Sequence, residues 1–115
     1  MQTVLLTPTF ERQAKAAGLG EDEIAIIVSA LAADPLAGDL IAGTGGARKV
    51  RFARGGAGKS GGYRTIHYFG GDDVPIFLLA LVDKRERANL SKAERNELAV
   101  ILPKIAAAYR KGRTA

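Results

Sequence analysis

The feature that most constrains the fold of this chain is a short run without any polar residue, Ile76-Phe77-Leu78-Leu79-Ala80-Leu81-Val82. A strand with one face in water alternates apolar and polar residues, and this run does not. Pro75 precedes it, and proline is accepted at the first residue of a strand. The run is far shorter than the roughly 20 apolar residues that span a bilayer. The sequence therefore predicts a central β-strand that is covered on both faces.

Two further strands are predicted upstream, in a segment rich in glycine. Eleven of the fourteen glycines lie between Gly38 and Gly71, which is typical of turns and close backbone approaches. We expect strands at Arg48–Arg54 and Tyr63–Phe69, joined by a glycine-rich loop. A turn at Gly70-Gly71-Asp72-Asp73 leads into the apolar run. The three strands should therefore form an antiparallel meander.

Strand and helix signals also occur before this segment. Thr3–Leu6 predicts a short first strand, and Thr7-Pro8 is typical of a helix start, because threonine caps the helix and proline suits its first turn. This helix should run to about Ala17. A second helix should follow Gly20 and end at Asp34-Pro35, because the residue before a proline disfavours helical geometry.

A capping box predicts the start of the last helix. The side chains of Ser91 and Glu94 can each accept a hydrogen bond from the free backbone amide of the other residue. The element order is then β-α-α-β-β-β-α. It predicts one small α+β domain over residues 1–115, with an antiparallel sheet packed against two N-terminal helices and a C-terminal helix. Residues from about 110 onward are expected to form a loose basic tail.

Composition excludes several classes of site. The 115-residue chain has no cysteine and a single histidine, His67, which excludes a disulfide framework, a zinc–thiolate site, a thiol nucleophile and a histidine-cluster metal site. We therefore expect no metal and no cofactor. The first residues lack a charged region followed by an apolar stretch, so no signal peptide is predicted. A cytoplasmic location without membrane contact is expected.

Basic residues are concentrated in one segment. The formal net charge is +5, yet six basic residues and no acidic residue lie between Ala47 and Arg64. Such a cluster favours a polyanionic partner: RNA, DNA or an acidic protein. A solvated basic surface is the alternative, and charge alone does not separate the two.

A pattern similar to a phosphate-binding loop lies inside this segment, at Ala53-Arg54-Gly55-Gly56-Ala57-Gly58-Lys59-Ser60. A working phosphate loop needs a helix that begins at its Lys-Ser pair, because the helix amides hold the phosphates. Here Gly61-Gly62 and a predicted strand follow instead. The sequence therefore favours a flexible cationic flap over a nucleotide-hydrolysing site.

Strand alternation assigns the charged side chains to faces of the sheet. Lys49 and Arg51 share one face of their strand. On the next strand Arg64 shares a face with Tyr68, and His67 lies on the other face unless a β-bulge intervenes. A lone histidine on a strand is more often a packed structural residue than a catalytic one.

A second group of charges, Lys84-Arg85-Glu86-Arg87, directly follows the apolar run. Cations at the end of a central strand can close a site beside the basic strands. A surface turn held by its glutamate is the alternative, and the sequence does not decide between them.

In combination, Gly38–Arg51, Gly61–Phe69 and the apolar strand ending in Lys-Arg-Glu-Arg resemble the RelE/ParE superfamily of type II toxin–antitoxin toxins, and most of all its HigB-like branch. The resemblance covers about residues 34–102. It implies a ribosome-dependent endoribonuclease, an mRNA interferase that inhibits translation. It also implies a cognate antitoxin, expected to be a helix-turn-helix protein of the HigA-like kind.

The resemblance implies site residues as well. The basic side chains that bind and cleave the RNA backbone in the family correspond to Lys49, Arg51, Arg64 and Arg85. Some members have a base-stacking tyrosine after Lys-Arg-Glu-Arg, where this chain has Ser91. Tyr68 or His67 is the candidate substitute for that tyrosine.

These residues suit a metal-independent cleavage in which the 2′-hydroxyl of the RNA attacks the adjacent phosphorus. Arg64 and Arg85 are expected to stabilise the charge of the transition state, because guanidinium groups match phosphate oxygens in pairs. Lys49 is expected to accept the proton, since cations on either side of it favour its neutral form, and His67 is the alternative base. The residues expected to bind RNA are Arg48, Arg54, Lys59, Tyr68, Lys84 and Arg87.

Two other functions stay open from the sequence, because fold does not determine function. One is a ParE-type inhibitor of DNA gyrase, which shares the fold without cutting RNA. The other is a non-catalytic nucleic-acid-binding domain.

Overall fold

The computed structural model describes residues 2–53, 62–84, 87 and 89–114, which form five strands and three helices. In chain order these are β1 (Val4–Leu6), α1 (Pro8–Ala16), α2 (Glu21–Ala33), β2 (Asp39–Leu40), β3 (Arg48–Phe52), β4 (Tyr63–Tyr68), β5 (Ile76–Asp83) and α3 (Lys92–Thr114). The two-residue strand β2 is an addition to the predicted order. None of the helices in the described ranges has the length and apolar character needed to cross a membrane.

The strands form one sheet in the order β1-β5-β4-β3-β2. β3, β4 and β5 are the predicted antiparallel meander, and β2 extends its edge in antiparallel orientation. β1, in contrast, pairs with β5 in parallel, with Val4 opposite Ile76. The α+β class is confirmed. The sheet is mixed rather than wholly antiparallel, because β5 offers a second edge and the first strand of the chain occupies it.

β5 is the central strand that its uniform apolar sequence predicts. All eight of its residues are buried. On one face Leu78 and Leu81 pack with residues of α1 and α2, and on the other face Phe77 and Val82 pack in a cluster that includes Leu102 of α3. Full burial of an aliphatic side chain contributes about 1.5–3 kcal/mol, so both coverings stabilise this strand. The sheet thus carries α1 and α2 on one face and α3 on the other.

A β-bulge interrupts the alternation of β5. Ile66 pairs with Ala80 and His67 pairs with Leu78, so Leu79 has no partner on β4. Leu79 and Ala80 consequently both pack on the side of α3. Because the extra residue belongs to β5, the alternation of side chains along β4 is undisturbed.

The starts of α1 and α3 have the caps that the sequence predicts. The Phe10 amide donates to the Thr7 hydroxyl at 3.2 Å, and Pro8 lies in the first turn of α1. The Ser91 amide donates to the Glu94 carboxylate at 2.8 Å, and the Glu94 amide donates to the Ser91 hydroxyl at 3.1 Å. This reciprocal cap defines where α3 begins, and therefore which of its side chains meet the sheet.

The last turns of α3 differ from the loose basic tail expected from about residue 110. The helix continues to Thr114. The Arg110 guanidinium donates to the Asp73 carboxylate at 2.6 Å (Nε to Oδ2) and to the Gly70 carbonyl oxygen at 3.0 Å. These contacts attach the end of α3 to the turn between β4 and β5.

Candidate nucleic-acid interface

Three of the predicted cations lie on the same face of the sheet. In the β3–β4 ladder Lys49 pairs with Ile66, and Arg51 pairs with Arg64. Residues directly opposite each other on antiparallel strands point to the same side. Ile66 is buried in the cluster that packs against α3. Lys49, Arg51 and Arg64 therefore share the face that carries α3.

Lys84, the first residue after β5, joins these three. The positive charge of Arg51 lowers the pKa of the Lys84 ammonium, and loss of hydration and the charge of Arg64 act in the same direction. Lys49, Arg51, Arg64 and Lys84 are called the cation cluster below. Like charges held this close repel one another, so an anion bound across them relieves the repulsion.

A cavity of about 470 Å³ opens beside the cation cluster, between the sheet and the first turns of α3. Lys49 and Arg64 line it from the sheet. Its lining also includes the buried apolar side chains of Ile66, Val82 and Leu90. The cavity therefore combines cations on one side with an apolar floor.

The Arg64 guanidinium is oriented by a neighbouring amide. Its Nη1 donates to the Oδ1 atom of Asn89 at 2.9 Å. Because Asn89 is neutral, this hydrogen bond positions the guanidinium without cancelling its charge. Asn89 itself lines the cavity, just before α3.

α3 contributes polar residues that the sequence analysis missed: Lys92, Arg95 and Asn96 line the cavity. They are spaced at i, i+3 and i+4, so they lie on one side of the helix. The Arg95 guanidinium also donates to the Leu90 carbonyl oxygen at 3.0 Å. Cations near a helix N-terminus are unfavourable to the helix dipole. That unfavourable placement, directly after the capping box, is the signal that points to these residues.

Comparison with known proteins agrees with this architecture. A family described as "RelE toxin of RelE / RelB toxin-antitoxin system" matches residues 2–112. This chain belongs to the RelE toxin family. It is therefore a toxin of the toxin–antitoxin type and has an antitoxin as partner. Its assignment to the HigB-like branch stays a prediction.

A solved structure of the E. coli toxin RelE in the free state, a mutant in which two arginines are replaced by alanine, has a similar fold. The match is 16% identical, covers 86% of this chain and 94% of that chain, and has a TM-score of 0.52. At this identity the similarity shows the fold alone. The family membership comes from the match over residues 2–112.

His67 does not join the cation cluster of this RelE-family toxin. It pairs with Arg48 on β3, and its neighbour Ile66 pairs with Lys49, so His67 lies on the opposite face. Its side chain is fully buried, and Nε2 donates to the Pro35 carbonyl oxygen at 2.9 Å. Burial lowers the pKa of His67, which favours the neutral ring. The β-bulge does not move His67 to the face of the cation cluster, because the extra residue is on β5. The structure thus removes His67 as alternative base and as stacking residue.

Arg48 is also turned away from the cluster. It shares a face with His67, and its Nη1 donates to the carbonyl oxygens of Leu36 at 3.0 Å and Gly38 at 3.1 Å. It therefore braces the segment before β2. Arg48 therefore lies on the face opposite the cation cluster, and its contact with RNA stays a prediction.

Tyr68 and Arg87 have other partners as well. Tyr68 shares a face with Arg64 but lies about 13 Å further along β4. Its ring packs so closely on Gly46 and Gly70 that a Cβ atom there would lie 3.2 Å and 3.1 Å from it. The Arg87 guanidinium pairs with Glu94, with Nη2 donating to Oε2 at 2.9 Å. Of the charges after β5, Lys84 thus joins the cluster, and Arg87 belongs to a surface ion pair.

Three predicted RNA contacts lie outside the described residues: Arg54, Lys59 and Arg85. The phosphate-loop-like stretch from Arg54 to Ser60 lies outside them too. The roles assigned to these residues stay predictions.

Within residues 2–53, 62–84, 87 and 89–114, no group of three or more His, Asp or Glu side chains is arranged to hold a metal ion. The exposed residue Asp39 lies opposite Lys49 in the β2–β3 ladder. In the part of the chain that the structure describes, the four cations of the cluster outnumber this carboxylate. The arrangement suits binding of a polyanion.

Proposed function

We propose that this toxin is a ribosome-dependent endoribonuclease that cuts mRNA in the cytoplasm and thereby inhibits translation. The observation that carries the proposal is the cation cluster, which brings together side chains from two paired strands and from the end of a third. Two of its members, Lys49 and Arg64, line one cavity. Basic side chains arranged in this way match the spaced charges of a nucleic-acid backbone. The described residues contain no matching cluster for metal-dependent hydrolysis.

The proposed reaction uses groups of the RNA itself. The 2′-oxygen of one nucleotide forms a bond to the adjacent phosphorus as the bond from phosphorus to the 5′-oxygen of the next nucleotide breaks. The proton of the 2′-hydroxyl passes to a base, and the leaving 5′-oxygen gains a proton. The products are a 2′,3′-cyclic phosphate and a free 5′-hydroxyl end.

Arg64 is the proposed stabiliser of the transition state, together with Arg85. The transition state carries more negative charge on the phosphate oxygens than the ground state does. A guanidinium held in place by Asn89 needs no reorganisation when that charge develops. It can also donate two parallel hydrogen bonds to phosphate oxygens.

Lys49 is proposed to accept the 2′-hydroxyl proton, because it lines the cavity together with Arg64. Lys84 is a second candidate, since its lowered pKa favours the neutral amine that can accept a proton. Lys49→Gln and Lys84→Gln variants separate the two. The variant that lacks the base should lose the rise of cleavage rate with pH.

The proposal includes two partners, the ribosome and an antitoxin. The ribosome holds and bends the mRNA for in-line attack, and positioning of this kind can lower a barrier by about 7–11 kcal/mol. The antitoxin, proposed to be a HigA-like helix-turn-helix protein, would neutralise the toxin by laying an acidic or amphipathic segment over the cation cluster.

Mapping of mRNA ends by primer extension after induction tests the proposal. We expect the wild-type toxin to produce new 5′ ends on translated mRNA. Arg64→Ala should reduce their yield at least about 100-fold, because transition-state stabilisation is lost. Arg64→Lys should restore little of it, because lysine cannot donate in parallel pairs.

Arg12→Ala is the matched control, because Arg12 is an exposed arginine on α1, which packs against the other face of the sheet. It should leave cleavage unchanged. A folded Arg64→Ala variant that cuts as well as the wild type would contradict the proposal. Inhibition of DNA supercoiling without mRNA cleavage would favour a gyrase inhibitor instead.

A further inference from the structure

We propose that the cavity between the sheet and the start of α3 binds an adenine base of the RNA next to the reacting phosphate, and that Asn96 recognises this base. The inference rests on the proposed function for its biological setting. It adds a substrate preference to it.

The chemistry of the cavity lining matches a nucleotide. A nucleotide has a charged phosphate at one end and a flat base with apolar faces at the other. In the cavity, Lys49 and Arg64 stand on one side, and the floor is made by Ile66, Val82 and Leu90, which are 2%, 1% and 7% exposed. A volume of about 470 Å³ lies within the roughly 300–1,000 Å³ of small-molecule pockets.

The edge of the cavity next to β2 is apolar as well. Leu40 lines the cavity and is 62% exposed, which leaves a large apolar side chain in water. A base that enters the cavity would cover part of this surface. An acidic peptide could meet the cations, but its carboxylates would gain nothing from an apolar floor. A base therefore fits both parts of the lining.

Asn96 provides the polar contact. Its exposed side chain lines the cavity and has no hydrogen-bond partner in the part of the chain that the structure describes. The Oδ1 atom of Asn89, in contrast, accepts from Arg64. Asn89 is thus a positioning residue for Arg64, and Asn96 is the amide available to a ligand.

An amide favours adenine among the bases. It offers one donor and one acceptor, and asparagine pairs with the amino group and a ring nitrogen of adenine in this way. Adenine carries a single exocyclic polar group, whereas the other three bases carry more. One amide above an apolar floor would leave one of those groups without a partner, and a buried unpaired polar group costs about 1–3 kcal/mol.

A binding experiment tests the inference without relying on cleavage. Adenosine 3′-monophosphate and cytidine 3′-monophosphate are titrated separately into the full chain while its amide NMR spectrum is recorded. We expect the adenine nucleotide to shift the resonances of Ile66, Leu90 and Asn96 and to bind at least about fivefold more tightly than the cytosine nucleotide.

Asn96→Asp should lower this ratio. A carboxylate only accepts hydrogen bonds, so it loses the bond to the ring nitrogen of adenine, while it can still accept from the amino group of cytosine. The new negative charge weakens the binding of both nucleotides alike, so the readout is the ratio of the two affinities. Glu97→Gln is the control, because Glu97 is the exposed neighbour of Asn96 and should leave the ratio unchanged.

Cleavage mapping supplies the second readout, on mRNAs that differ only in the nucleotide at the cut. A wild-type preference for adenine that shifts toward cytosine in Asn96→Asp supports the inference. Equal binding of the two nucleotides, an unchanged ratio in Asn96→Asp, or stronger shifts of the same resonances by a tetraglutamate peptide would overturn it. Absence of wild-type cleavage would refute the proposed function, while the nucleotide ratio would still decide the base site.

Discussion

Lys84 is the side chain whose acid–base chemistry is most directly tied to the candidate site. Its pKa is lowered mainly by the charge of Arg51, the residue that pairs with Arg64 across the β3–β4 ladder. Strand pairing thus sets the protonation of a lysine that lies beyond the end of a third strand. The same like charges make the cluster receptive to phosphate.

Replacing Arg51 should therefore change Lys84 measurably. In Arg51→Gln we expect the pKa of Lys84 to rise toward its ordinary value of 10.5, because the largest cause of its lowering is removed. NMR titration of the labelled lysine side chains measures this directly. Arg12→Gln, on the opposite face, should leave Lys84 unchanged. A Lys84 pKa that is the same in Arg51→Gln and wild type would contradict the described geometry.

His67 illustrates a titratable residue with a structural role. Burial lowers its pKa below 6.5, so below that pH the unfolded chain binds a proton that the folded chain does not. Stability should consequently fall as pH decreases from 6.5 toward the folded pKa. In His67→Gln this part of the pH dependence should disappear, and the Gln amide can still donate to the Pro35 carbonyl oxygen.

Denaturant unfolding at several pH values measures the effect on stability, and primer extension measures activity. Cleavage by His67→Gln should stay within about twofold of wild type, because the ring lies away from the cation cluster. Loss of cleavage in a folded His67→Gln variant would make the histidine a candidate catalytic group again.

At the scale of elements, the start of α3 affects both the stability of the helix and the position of the cavity lining. Its capping box lies directly before the residues that line the cavity, and Arg87 adds an ion pair to the capping Glu94. The hydrogen bond from Arg87 is the largest cause that lowers the pKa of Glu94 to about 2, and hydrogen bonds from Ser91 add to it. The same carboxylate therefore stabilises both the helix and the loop before it.

Glu94→Gln should reduce stability in a way that depends on pH. A carboxyl group with a lowered pKa contributes stability above its ordinary value of 4.5, and this contribution is lost as pH falls toward 2. We expect a loss of about 1 kcal/mol or less at neutral pH, because the Arg87 and Glu94 side chains are 39% and 35% exposed. Near pH 2 the variant and wild type should unfold alike.

Denaturant titrations at both pH values check this prediction, and Glu97→Gln serves as the matched control on the same helix, beyond the cap. A Glu94→Gln variant whose deficit is as large at pH 2 as at neutral pH would show that the carboxylate charge is not responsible.

Local features of the sequence predicted much of the fold. Thr7, Pro8, Ser91 and Glu94 reveal helix starts because capping depends on neighbours within one turn. Alternation placed Lys49 and Arg51 on one face because a strand has a strict period of two. The orientation of Asn96 toward the sheet was not predictable in this way, since it depends on how α3 rotates when its apolar side packs on β5.

The parallel pairing of β1 was missed for a related reason. Val4-Leu5-Leu6 has strand character, but its sequence does not state which edge it joins or in which direction. The edge that β1 joins depends on the tertiary structure: β4 pairs with one edge of β5, and β1 pairs with the edge that is left. Arg48 and His67 were hard to interpret for the same cause: residue type suggested chemistry, whereas tertiary hydrogen bonds hold Nη1 of Arg48 at the Leu36 and Gly38 carbonyls and Nε2 of His67 at the Pro35 carbonyl.

At the scale of the whole molecule, the sheet divides the protein into a packing face and a binding face. α1 and α2 cover one face, and the cation cluster and its cavity occupy the other beside α3. Substitutions of exposed cations on the two faces should therefore act differently on nucleic-acid binding while both leave the fold intact.

The salt dependence of binding to a short single-stranded RNA tests this division. The slope of log affinity against log salt concentration changes by about 0.7 for each phosphate that the protein no longer neutralises. Lys49→Ala and Arg51→Ala should each flatten the slope by about this amount, and Arg12→Ala should not. Fluorescence anisotropy with a labelled RNA measures the slopes. Equal slopes in all variants would mean that the cluster does not meet the backbone.

The pairing of β1 with β5 also has a consequence for the time course of folding. Residues 4–6 find their partners only at residues 76–78, and the cavity needs residues up to Asn96. Contacts between such distant parts of a chain raise the contact order and slow folding. During synthesis, the cavity can form only after the first turns of α3 have left the ribosome. A truncated product that stops before α3 would therefore lack the wall of the cavity formed by Lys92, Arg95 and Asn96.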